Sequence, residues 1–125
     1  MATSTTRPAA EAEALPLDVE TMRESARRLL ADGADQPSPE ELGTLAVLLR
    51  DHIRQLVPEV GAAMLGLPKD DVPRACAQAC IGEAEMRLRL GDGDNDAVRL
   101  AVAVRLARSV NALCDHLTNL GGARS

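Results

Sequence analysis

Residues 38–56 read SPEELGTLAVLLRDHIRQL, and this stretch decides the fold. Ser38 is placed to cap a helix, and Pro39 takes the first helical position, where its missing N–H costs nothing. Glu41, three residues after the cap, completes a capping box. Leu42, Leu45, Leu49, Ile53 and Leu56 then line one face at helical spacing. Pro58 interrupts the pattern, yet Val60, Ala63, Met64 and Leu67 continue it. The spacing predicts one long helix kinked near Pro58, with two separate helices as the alternative.

On the N-terminal side, Asp18 is a plausible cap for a first helix that ends at Gly33, with Val19, Met22, Ala26, Leu29 and Leu30 on one face. Residues 1–16, rich in Ala, Thr, Ser and Pro, are expected to be a disordered tail. On the C-terminal side, Pro68 closes the long element and Asp70 or Asp71 caps a third helix with Pro73 in its first turn, running to about Leu90. After a polar turn at residues 91–96, a last helix spans about Ala97 to Leu120 and stops at Gly121 and Gly122. Its apolar arc is broad, from Leu100 through Leu106 and Val110 to Leu117, which marks it as the central helix. No segment alternates with the period of a strand. The expected fold is therefore all-α, a compact bundle of about four helices formed by a single domain at residues 17–121, with a second short tail at 122–125.

Composition removes several function classes. The 125-residue chain carries a net charge of −5, whereas nucleic-acid binding needs a concentrated basic surface. Residues 1–71 hold 13 acids and 7 bases, and residues 72–125 hold 6 and 7, so the C-terminal half is near neutral and not basic. There is no Phe, Tyr or Trp, which removes base-stacking platforms, aromatic cation cages and the usual interface anchors. No stretch approaches a membrane span, and Glu11 and Glu13 argue against an export signal, so a cytoplasmic location is expected.

The acidic turn offers Asp92, Asp94 and Asp96 at alternate positions, as a calcium loop would. Such a loop also needs Gly at position 6 and Glu at position 12, where this chain has Ala97 and Ala103. Acids at a helix N-terminus explain the turn sufficiently.

The third helix is more informative. Arg74, Gln78, Glu85 and Arg89 share an arc expected to face water. Cys76, Cys80, Glu83 and Arg87 lie opposite, down the line expected to be most protected. Charge there is expensive unless paired, and Glu83 and Arg87 stand four residues apart in the favourable order. One reading is a structural ion pair, inside the bundle or snorkelling to its edge. The other is a ligand or partner pocket with Glu83 and Arg87 as anchors, joined by His52 from the apolar face of the second helix, Asn111 from the last, and the two cysteines. His52 falls there with Leu45, Leu48, Leu49 and Leu56.

Cys76, Cys80, Cys114 and His52 on three inward faces are the residues from which a tetrahedral zinc site would be built. Cys-x-x-x-Cys on a helix is a weak signal, however, because free cysteine is commonly buried. No metal or other cofactor is assigned. A thiol nucleophile lacks any local signature, and three cysteines in a cytoplasmic chain suggest reduced thiols.

Three stretches carry a family resemblance: Asp70-Asp71-Val72-Pro73-Arg74-Ala75-Cys76, Gly82-Glu83-Ala84-Glu85-Met86-Arg87-Leu88, and the segment from Leu106 to His116. The chain resembles a family of small actinobacterial proteins of unknown function associated with natural-product biosynthesis, over about residues 20–120. The alanine- and arginine-rich composition agrees. The resemblance implies an aromatic residue where this chain has Leu117, a departure from the family pattern. The resemblance implies a metabolic context and no mechanism.

The expected function is thus a small accessory or interaction protein for natural-product biosynthesis, leaning away from an enzyme. Its partner would be another pathway protein or a second copy of itself, with Ile81 and Leu88 at one edge of the third helix as the subunit contact. The alternative is a small helical enzyme or metabolite-binding protein with an internal polar site around Glu83 and Arg87.

Overall fold

The computed structural model describes residues 17–121, so the tails assigned to residues 1–16 and 122–125 lie outside the described residues. Four helices follow one another: α1 (Val19–Leu30), α2 (Pro39–Met64), α3 (Val72–Leu88) and α4 (Asp96–Asn119). Each begins at a side chain that accepts a bond from an otherwise unpaired backbone N–H. Asp18 accepts from Thr21 at 3.0 Å, Ser38 from Glu41 at 3.1 Å, Asp71 from Arg74 at 3.0 Å and Asn95 from Val98 at 2.9 Å.

Glu41 departs from the expected capping box. Its carboxylate does not turn back on Ser38. Both oxygens are held by Arg28, Nε to Oε2 and Nη2 to Oε1, each at 2.8 Å. The two-pronged bond ties the end of α1 to the start of α2, and Arg28 Nη1 also donates to the Asp35 carbonyl of the connecting loop at 2.7 Å.

Helix α2 is continuous through Pro58. Proline has no N–H for the carbonyl four residues back. Pro58 and Arg54 are both exposed, so the missing bond falls on the solvent side. Gly93 and Gly121 hold φ of +98° and +82°, and these left-handed residues end the α3–α4 turn and helix α4. A Cβ at Gly93 would lie 2.5 Å from Val98 Cγ1, so that turn needs glycine twice over.

Helices α2 and α4 each pack against all three others, whereas α1 and α3 make no contact with each other. The bundle is therefore a rhombus in cross-section, with α2 and α4 across its short diagonal. This explains the length of their apolar lines. Leu49, Ile53, Leu56 and Val60 on α2 and Leu106, Val110 and Leu113 on α4 are fully buried. Burying each such side chain contributes about 1.5–3 kcal/mol.

Helix α3 corrects the sequence reading. Its inner line is Ala77, Ile81 and Ala84, with Leu88 partly buried behind them. That line is one residue further along than Cys76, Cys80, Glu83 and Arg87, a rotation of about 100°. Cys76 and Glu83 are exposed, and Cys80 and Arg87 are half-buried at the flank. Ile81 is consequently buried in the core, and Leu88, expected with it at a subunit contact, packs partly buried against that core. Leu48, expected on the inner face of α2 beside His52, is exposed.

No helix among the described residues is long and apolar enough to cross a membrane.

Candidate functional site

The six residues singled out on the inward faces do not converge on one site; Glu83 and Arg87 meet each other, apart from His52 and Asn111. The rhombus keeps them apart, because α1 and α3 flank opposite sides of the α2–α4 pair.

On the α3 side, Arg87 lies along α4. Its Nη1 donates to Ser109 Oγ at 3.0 Å and to the Arg105 carbonyl at 3.2 Å, and its Nη2 donates to Glu83 Oε2 at 3.0 Å. Ser109 is buried, so Arg87 satisfies a polar group inside the bundle while its own charge is met by Glu83 near the surface. A shallow depression of about 250 Å³ touches Glu83, Met86, Arg87, Leu90 and Arg105. Its chief charged donor is already committed to this chain. Cys80 is nearby; burial, and then the negative charge of Glu83, push its thiol pKa up.

On the α1 side, His52 is buried between α2 and α1. Its Nε2 lies 3.3 Å from Ser25 Oγ, and that hydroxyl donates to the Thr21 carbonyl at 3.2 Å. The direction of the Ser25–His52 bond follows the imidazole tautomer. His52 Nδ1 is buried with no partner. Burial lowers the His52 pKa, with a smaller opposing pull from Asp51. Asn111 accepts from Arg23 Nη1 at 3.3 Å, and the same nitrogen makes an ion pair with Asp115 at 2.8 Å. That cluster borders a cleft of about 290 Å³ between α1 and α4.

The cysteines are similarly dispersed. Cys76 is exposed, Cys80 half-buried and Cys114 fully buried, and burial pushes the Cys114 thiol up to about 11. A thiol in that state is protonated at neutral pH and a poor nucleophile. No group of three or more His, Cys, Asp or Glu side chains among the described residues is arranged to hold a metal ion.

The feature that sequence reasoning missed lies on the outer face of α2. An open groove of about 960 Å³ runs over Pro39, Gly43, Val47 and Leu48, bordered by Glu40, Asp51, Arg54 and Arg99. Val47 is 69% exposed and Leu48 38%. The signal was present in Ala46-Val47-Leu48-Leu49. Four consecutive apolar residues in a helix span about 300°, more than one buried face can absorb.

Residues 20–122 match the model of a family of unknown function, DUF6415. The chain belongs to that family. The matched region takes in all of α2, α3 and α4 and all but the first residue of α1, so both the α2 face and the Glu83–Arg87 edge lie inside it. No match was found among curated proteins or among solved structures.

Proposed function

We propose that this member of DUF6415 is a non-enzymatic accessory protein of natural-product biosynthesis in an actinobacterium. It works in the cytoplasm by binding another protein chain through the outer face of α2. The observation that carries the interaction role is the exposed pair Val47 and Leu48 in an open groove with charged borders. Clustered exposed apolar side chains rimmed by charge are what a protein contact requires. The biosynthetic context rests on the sequence resemblance of residues 70–76, 82–88 and 106–116, and on the alanine- and arginine-rich composition.

A second reading is favoured by one observation, the depression that touches both Glu83 and Arg87. There the protein would bind a small metabolite whose polar groups compete for the Arg87 guanidinium.

Deleting the gene from its source strain and profiling the metabolites separates the two. Complementation by the wild-type chain should restore the lost product. The double variant Val47→Glu/Leu48→Glu should fail to restore it, while Glu83→Gln/Arg87→Met should succeed. The reverse pattern would establish the metabolite reading. An unchanged metabolite profile after deletion would refute the biosynthetic role.

A further inference from the structure

The borders of the α2 groove carry a charge pattern that identifies its occupant. An α-helix advances about 1.5 Å and turns about 100° per residue. Glu40 and Arg54 each stand seven residues from Val47, so they lie about 10 Å either side of it and within about 20° of its direction. The face thus reads acid, apolar centre, base, with the two charges equidistant from the exposed valine. Neither Glu40 nor Arg54 makes an ion pair among the described residues.

We propose that a second copy of this chain occupies the groove, with the two α2 helices antiparallel about a two-fold axis at Val47. The inference rests on the interaction role given above and names the partner of that same face. In such a pair, the residue n places after Val47 meets the residue n places before Val47 of the other copy. Glu40 then opposes Arg54 of the second copy, and the symmetry makes this contact twice.

The next turn inward follows the same rule. Asp51 comes level with Gly43 of the second copy. The Arg99 guanidinium lies against Gly43, with Nη2 3.5 Å from where a Cβ would sit. Arg99 is only loosely engaged by Asp96, at 3.8 Å, which leaves it to meet the incoming Asp51. Gly43 presents no side chain of its own, so Asp51 of the opposing helix can approach. A two-fold contact turns acids and bases balanced about one residue into unlike pairs, a balance that an arbitrary partner has no need of. The apolar centre supplies attraction, and the paired charges set register and direction.

The test is sedimentation equilibrium of the full chain and its charge-reversal variants, with helical content and melting temperature as folding controls. The wild type should show about twice the 13.2 kDa chain mass. Glu40→Arg and Arg54→Glu should each weaken association by at least about tenfold, since each places like charges together at both ends. An equimolar mixture of the two single variants should recover the dimer, because the mixed pair again opposes unlike charges twice. The double variant Glu40→Arg/Arg54→Glu should also recover it. A wild type that stays monomeric to millimolar concentration, or a mixture no tighter than its components, would overturn the two-fold arrangement. If the wild type is monomeric while Val47→Glu/Leu48→Glu still fails in the deletion strain, the interaction role stands and only the second copy is lost. If dimerisation follows the charge pattern but that variant complements fully, the dimer stands and the need for this face in biosynthesis falls.

Discussion

Replacing His52 by leucine should leave the protein as stable or make it more stable, and should flatten its dependence on pH. His52 is only 6% exposed, and its Nδ1 is buried without a partner. An unsatisfied buried ring nitrogen costs about 1–3 kcal/mol, whereas the bond between Nε2 and Ser25 contributes only about 1 kcal/mol. Ser25 keeps its bond to the Thr21 carbonyl in the variant, so no new polar group is orphaned. The expected change at neutral pH is therefore a stabilisation of about 0–2 kcal/mol.

The sign of the pH effect follows from the lowered pKa. Burial holds folded His52 below its ordinary value of 6.5. Above that value both states are neutral, and the residue's contribution is complete. As the pH falls below 6.5, the unfolded chain takes up the proton first, and stability drops until the folded pKa is reached. The slope cannot exceed about 1.4 kcal/mol per pH unit for one group. Urea unfolding followed by circular dichroism, at several values between about pH 7 and pH 5, measures it. Wild type should lose stability on acidification and His52→Leu should lose less. Parallel curves, or a variant destabilised by more than about 2 kcal/mol, would refute the assignment of His52 as an uncharged, half-satisfied core residue.

The Glu83–Arg87 edge should respond unequally to its two ends. Glu83 is 61% exposed at its side chain, so Glu83→Gln should change stability by less than about 1 kcal/mol. Arg87→Ala removes the partner of buried Ser109 and should cost about 1–3 kcal/mol by the same unfolding assay. The three thiols should alkylate in order of burial at neutral pH: Cys76 first, Cys80 more slowly, and Cys114 only on unfolding, as read by mass spectrometry of the digested protein. Rapid labelling of Cys114 in the folded protein would contradict its placement in the core.

Much of the fold was legible because helix starts are local chemistry. Asp18 and Ser38 cap the helices the sequence assigns to them, Asp71 is the cap of the two candidates Asp70 and Asp71, and the line from Leu42 to Leu56 is buried as its spacing requires. Orientation within α3 was not legible. Small residues surround that helix at Ala75, Cys76, Ala77, Ala79, Cys80, Gly82 and Ala84, so no arc is apolar enough to announce which side is inward. The decision is made by Ile81 and Leu88 packing on the α2–α4 pair, a tertiary effect. The dispersal of the candidate residues was hidden for a related reason. Helical periodicity says which residues share a face, but not which faces meet, and the rhombus puts His52 and Asn111 on one side and Glu83 and Arg87 on the other. The α2 groove was readable in principle from the run of apolar residues at 46–49, which needs two apolar faces rather than one.

The most direct measurement is a backbone amide spectrum of the nitrogen-labelled protein recorded from micromolar to millimolar concentration. Concentration-dependent shifts should be confined to residues 39–54 and the neighbourhood of Arg99. Shifts centred instead on Glu83, Met86 and Arg105, or no shifts at all, would contradict the assignment of the outer face of α2 as a self-associating surface.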